Sequence, residues 1–167
     1  RTYYQPSMFF VGFGFDSKTN DYKVVRICYL KYYDINDPPL EELYSLNVGA
    51  SRIIESTSID VRIAGRLWSQ CFVHGNVQWL ALEKDMRPPF NYCVLIFNVE
   101  EENFKKIRLP PELSTLPLHD YLTINIVVIN GCLSVIHYDY HREQEPNTMC
   151  NIWMKREQKL WNKCGIT

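Results

Sequence analysis

No stretch of this chain is apolar over the ~20 residues that a bilayer-crossing helix needs. Its longest apolar runs, such as Ile124 to Ile129, end after a few residues, so no membrane span is expected. The chain has no Asn-x-Ser/Thr sequon, no basic-then-apolar leader and no Met at its start. These absences argue against secretion and suggest an excerpt from a longer protein. No Cys-x-x-Cys pair occurs, which removes the commonest zinc framework. Charge of one sign is also lacking: 18 Lys and Arg face 19 Asp and Glu, for a net charge of -1. A surface so balanced does not attract a polyanion as a whole, and nucleic acid is not an expected partner.

What is present is an ordinary globular composition. In 167 residues, 46% are hydrophobic and 22% charged, enough to bury one core without staples and too apolar for disorder. One domain is expected. Six cysteines (Cys28, Cys71, Cys93, Cys132, Cys150, Cys164) could in principle form three disulfides. Five of them lie in or beside apolar strand-like runs, where a free cysteine behaves as a small buried hydrophobe. Reduced thiols, and hence a cytoplasmic or nuclear location, are the expectation.

Short runs rich in Val, Ile, Tyr, Phe and Trp recur between Gly, Asn, Asp and Pro, and no long helical periodicity intervenes. This pattern predicts an all-β chain. Strands are predicted near 8–15, 22–30, 43–46, 70–73, 77–82, 93–97, 104–108, 124–129, 132–138, 150–154 and 160–164. Asn130-Gly131 is a favoured pair for a two-residue hairpin because both residues tolerate positive φ, and His74-Gly75-Asn76 makes a similar turn. Gly75 and Gly131 stand 56 positions apart. A second pattern, an aromatic residue, a polar spacer and another aromatic, appears as Phe15…Tyr22, Phe97…Phe104 and Trp153…Trp161, with a degenerate copy from Tyr44 to Ser51. Phe97 and Trp153 are again 56 apart. Repeats of this length built from strands point to a β-propeller-like arrangement of antiparallel sheets, with a β-sandwich as the alternative. Repeat-like units are placed at about 8–55, 70–109 and 126–165. The second and third should superimpose, making Phe97 and Trp153 equivalent, and Trp79, Phe97, Phe104, Trp153 and Trp161 should be buried.

Several segments resemble a known family. Gly12-Phe13-Gly14-Phe15-Asp16 followed by Asn20-Asp21-Tyr22-Lys23-Val24-Val25-Arg26-Ile27 is similar to the opening signature of the F-box-associated domain of plant F-box proteins. That family is kelch-like and includes the S-locus F-box proteins. Tyr44-Ser45-Leu46, then Val73-His74-Gly75-Asn76-Val77-Gln78-Trp79-Leu80-Ala81, follow in the family's order. Ile96-Phe97-Asn98 with Phe104-Lys105-Lys106-Ile107-Arg108-Leu109-Pro110, and Ile152-Trp153-Met154-Lys155 with Trp161-Asn162-Lys163, complete the match. The sequence departs from the family at Ser51, where Trp is usual, and in the turn between Met154 and Trp161. The resemblance implies an incomplete propeller ring that recognises a target protein for ubiquitination. A Skp adaptor and cullin would be engaged through an F-box outside this chain. A carbohydrate-binding or glycan-processing β protein is the alternative.

The residues themselves offer little chemistry. His137 and His141 have the i, i+4 spacing that would pair imidazoles on a helix, but they fall at a strand end and in a loop, so no metal site is expected. No nucleophile elbow and no phosphate-binding loop occur. Gly12-Phe13-Gly14 reads as a strand whose glycines permit close backbone packing, and Glu100-Glu101-Glu102 as a solvated turn. No catalytic residue and no cofactor are therefore expected. Recognition falls to the connections 31–42, 55–69, 83–92, 111–122 and 139–148. Among them Arg87, Phe90, Tyr92, Tyr140 and Arg142 carry the side-chain types enriched at interface hot spots and are the candidate partner contacts.

Overall fold

The computed structural model describes residues 8–31, 34, 36–54, 59–64, 70–83, 90–116, 123–139, 149–156 and 160–165. β1 (Met8–Asp16), β2 (Asp21–Tyr29), β3 (Leu40–Ser45) and β4 (Ala50–Ile53) form a first antiparallel meander. In the second sheet, β5 (Val61–Ile63) and β6 (Cys71–Val73) lie end to end along one edge of β7 (Asn76–Glu83). β7 pairs with β8 (Phe90–Asn98), whose far edge takes β9 (Asn103–Arg108). After a single helical turn, α1 (Pro111–Ser114), β10 (Thr115–Leu116) joins that same edge. A third meander contains β11 (Ile124–Ile129), β12 (Cys132–Asp139), β13 (Met149–Lys155) and β14 (Trp161–Gly165).

Alternation along the strands explains the stacking. On β2, Val25, Ile27 and Tyr29 point to one buried face while Tyr22 and Arg26 are exposed. β7 and β8 instead bury both faces, which is why Trp79-Leu80-Ala81-Leu82 reads as an unbroken apolar run. Their odd-numbered residues Val77, Trp79, Cys93, Leu95 and Phe97 pack with Phe10, Val25, Ile27, Tyr29 and Leu43 in one core. The even-numbered Leu80, Leu82, Tyr92, Val94 and Ile96 pack with Ile124, Leu133, Val135 and Trp153 in a second. The first strands of the outer sheets, β1 and β11, each lie against β6 and β7 of the middle one. The result is an all-β, propeller-like arc of three sheets, an incomplete ring.

Glycine matters where β1 crosses the second sheet. A Cβ on Gly12 would run into the indole of Trp79 and a methyl of Val77, and one on Gly14 would meet Val99 and Phe72. The Gly-Phe-Gly run is thus the price of seating backbone directly on Trp79. The two phenylalanines of the motif are not in this core. Phe9, Phe13, Tyr22 and Tyr44 line the opposite, outward face of the first sheet, where Phe13 and Tyr22 stack at 5.5 Å.

The repeat is real but shorter in reach than the sequence suggests. Asn76–Glu83 and Cys132–Asp139 are 56 positions apart at both ends, and their turns match in conformation: His74 and Asn130 both have φ 50, Gly75 φ 70 and Gly131 φ 69. The next strands break the offset. Val77 faces Phe97, whereas its counterpart Leu133 faces Lys155, and Trp153 faces Val135, the counterpart of Trp79. Phe97 and Trp153 therefore occupy non-equivalent positions, and the expected equivalence fails. The third sheet is shifted by two residues here. A two-residue slip preserves the side-chain face, whereas a one-residue slip would turn every side chain over. Trp153 accordingly still faces the preceding sheet.

Phe15…Tyr22 also belongs to the first hairpin of its sheet, not to the later hairpin that carries Phe97…Phe104. The counterpart of Phe97 opposite Phe104 is Tyr44 opposite Ser51. Trp79, Phe97 and Trp153 are buried as expected, while Phe104 and Trp161 are half-buried at the rims of the two cores. Two elements lay in segments read as connections: β5, within 55–69, and the α1–β10 pair, within 111–122. Ile59, Val61 and Ile63 alternate and are all buried, a strand signal too short to stand out alone.

Candidate functional site

In each meander the hairpin turns gather at one end and the longer connections leave from the other. Three of the turns share one construction, four residues between the last paired positions: Asp16–Asp21, Ser45–Ala50 and Asn98–Asn103. The residue that opens each turn caps it from its side chain. Asp16 Oδ1 accepts from the backbone N–H groups of Lys18 and Thr19, Ser45 Oγ from Val48, and Asn98 Oδ1 from Glu100 and Glu101. The fourth turn residue takes positive φ each time: 51 at Asn20, 69 at Gly49 and 53 at Glu102.

At this turn end the first and second sheets are locked by charge. Lys23 Nζ, almost fully buried, donates to Asp16 Oδ2 at 2.6 Å, to Glu102 Oε1 at 2.9 Å and to the Val99 carbonyl at 3.0 Å. Arg52 also reaches Glu102, and Ser17 Oγ donates to Glu100 Oε1 at 2.7 Å. Glu102 is thus a partly buried tie between sheets, whereas Glu100 and Glu101 are exposed, so the reading as a solvated turn is corrected at Glu102 alone. Burial alone would raise the Asp16 carboxyl, but hydrogen bonds from Lys23 and Thr19 outweigh it and bring the pKa down to about 2. Burial likewise opposes the charge on Lys23, and its two carboxylate partners reverse that and raise it. This cluster explains Asp16 and Lys23 of the opening motif as structural residues.

The second and third sheets meet differently. Between them, at the same end, lies a groove of about 620 Å³. Val73, Ile96, Ile107 and Leu133 make its apolar wall. Lys105, next to the aromatic of β9, and Lys155, at the end of β13, supply positive charge, with His74 at the hairpin tip. Asn76 and Gln78 of β7 complete the lining among the described residues. Asn76 is already engaged, donating to the His74 carbonyl at 2.7 Å and accepting from Asn98 at 3.2 Å. Gln78 is only 4% exposed, and its Oε1 has no hydrogen-bond partner. Trp161 donates from Nε1 to the Arg108 carbonyl at 2.9 Å, and Lys155 Nζ lies 5.9 Å from the centroid of its ring.

Two of the five candidate contacts fall within the described residues. Arg87, Tyr140 and Arg142 lie outside the described residues. Phe90 and Tyr92 are corrected from loop to strand: they are the first and third residues of β8, held by pairing of Tyr92 with Leu82 and of Phe90 with Leu116. Tyr92 is 2% exposed and packs in the second core, so it has no surface to offer a partner. Phe90 is half-buried against that core. The strand alternation simply continues three residues further than the Pro-rich stretch suggested. Lys105 and Lys155 were in view as parts of the quoted motifs, whose aromatic members alone were read, and for burial. Nothing local to either lysine signals that the two share a groove.

Other chemistry is sparse. All six cysteines are free; burial pushes the thiol of Cys93 up to about 12 and that of Cys71 to about 11, well above the range of a reactive thiolate. Among the described residues no cluster of three or more His, Cys, Asp or Glu could hold a metal ion, and no helix is long and apolar enough to cross a membrane. His137 lies on β12, and His141 lies outside the described residues.

Three stacked antiparallel sheets, the outer two four-stranded and the middle one six-stranded, define a propeller-like β module. The chain belongs to the F-box associated beta propeller domain family, which it matches over residues 1–165. It is 26% identical over 172 aligned residues to an F-box/LRR-repeat protein of Arabidopsis thaliana, covering 95% of this chain. It is also 26% identical over 172 residues to the F-box protein CPR1 of the same plant, covering 92% of this chain. The chain spans 39% of the length of each of these relatives. No solved structure matches it.

Proposed function

We propose that this chain is the target-recognition module of an F-box protein and acts, without catalysis of its own, in a ubiquitin ligase of the Skp, cullin and F-box type. The observation that carries the reading is the family match along almost the whole chain, together with relatives that are themselves F-box proteins. In this reading an F-box elsewhere in the protein docks on the Skp adaptor, the cullin follows, and the β module holds the protein to be ubiquitinated. The architecture suits such a role: strands are committed to two cores, while turns and connections at the two ends of the stack are available for contact. The free thiols support placing it in the cytoplasm or nucleus.

The test is co-purification of the full-length protein from its own cells. The Skp adaptor and cullin should be recovered with it, and ubiquitin conjugates of a co-purifying protein should fall when the β module is deleted. Failure to recover any adaptor would end this reading.

A further inference from the structure

We propose that Gln78 is the recognition residue of the groove between the second and third sheets, and that this groove takes a peptide segment presenting an Asn or Gln carboxamide among aliphatic side chains. The inference rests on the target-recognition reading and gives that recognition a place and a chemistry. Gln78 carries it. Strand alternation turns its side chain, with those of Leu80 and Leu82, toward the third sheet, and it lines the groove while only 4% exposed. Its Oε1 meets no hydrogen-bond donor among the described residues. The polar side chains in comparable places are settled. Asn76 is held by the His74 carbonyl and by Asn98. Ser134, the counterpart of Gln78 in the third sheet, is fully buried and donates from Oγ to the Cys132 carbonyl at 3.2 Å. Gln70 and Trp79 also bury an unpartnered atom, but neither lines the groove. A buried acceptor left alone is costly, and a ligand carrying an N–H relieves that cost.

The chemistry of that ligand follows from the head it must meet. A carboxamide holds a donor and an acceptor on one plane, and a second carboxamide matches both. A ligand side chain, unlike a backbone strand, can reach a head sunk this far between two sheets. The space of about 620 Å³ falls within the ~300–1,000 Å³ of sites that enclose a ligand. Val73, Ile96, Ile107 and Leu133 wall it, and between apolar walls an uncharged donor costs less to bury than an ammonium or guanidinium group. Aliphatic side chains on either side of the amide then cover those walls.

The experiment is selection from a random-peptide display library against the full-length protein, followed by anisotropy titration of the enriched sequence as a labelled synthetic peptide. Enriched peptides are expected to carry Asn or Gln next to Leu, Ile or Val. Met in place of the peptide's amide residue keeps much of its size but removes the donor, and should weaken binding by about tenfold or more. Gln78→Leu should weaken binding of the amide peptide to a similar degree without lowering the melting temperature, which separates the loss from misfolding. Against that variant the amide and Met peptides should bind alike, because the cycle has removed the one contact that tells them apart. Three results would overturn the proposal: no amide enrichment, an affinity indifferent to Gln78→Leu, or a Met peptide that loses as much affinity for the variant as for wild type. Adaptor recovery, measured in parallel on wild type and Gln78→Leu, separates the two readings. Adaptor retained by both with unaltered peptide affinity defeats the groove alone, and adaptor absent from wild type defeats the ligase role.

Discussion

The two junctions of this stack use the same parts and end differently. Between the first and second sheets, backbone at Gly12 rests on the Trp79 indole and the turn end is tied by Lys23, Asp16 and Glu102. Between the second and third, Trp153 and Val135 fill the core, but the turn end opens into a groove with lysines on two sides. Packing holds both junctions, and at the first a buried charge cluster of the chain's own side chains ties the turn end as well. A charge satisfied within the chain, as at Lys23, is structure.

The comparison breaks most visibly at Trp79. Trp79→Ala removes the side chain beneath Gly12 and should cost about 3–5 kcal/mol through cavity formation, measured as a lower midpoint in urea. Lys23→Met leaves the buried Asp16 carboxylate without its cation and should cost about 3 kcal/mol. Gly12→Ala should follow at about 1–3 kcal/mol, because β1 must lift from the indole to admit a methyl group.

Acid should sharpen the contrast. Asp16 falls from its ordinary 3.8 to about 2 in the folded chain, so its contribution is complete above 3.8 and is lost as pH drops through about 2. Lys23 is raised above its ordinary 10.5, so its contribution is present below that value and is lost as pH climbs through the raised one. Thermal unfolding across pH 2 to 4 should show this acid limb in wild type and a shallower one in Lys23→Met. The smallest effect is expected at the open junction, where Lys105→Met should change stability by no more than about 0.5 kcal/mol.

Much of the fold was legible because strands announce themselves locally. Alternation on β2, the unbroken apolar run of β7, and Asn130-Gly131 each state a conformational need within a few residues. The family signature was equally legible: Gly12 seats backbone on Trp79, Lys23 reaches Val99 and Glu102 of the second sheet, and Asp16 neutralises Lys23. Register was not legible. The 56-residue spacing of Phe97 and Trp153 proved a coincidence of connection lengths, since a strand can slide by two residues and keep its buried face. The loop placement of Phe90 and Tyr92 failed in a related way, because these residues prolong β8 only when Leu82 and Leu116 lie alongside.

By itself, then, the sequence determined the β class, the turn residues and the family, all of which depend on periods and dihedral preferences shorter than one hairpin. Tertiary structure alone decided which Glu met Lys23, which two lysines from separate sheets came to share one groove, and that Gln78 among them was left without a donor. Such facts follow from how sheets are stacked, and residues as far apart in the chain as Lys105 and Lys155 become neighbours only when burial of apolar faces brings their sheets together.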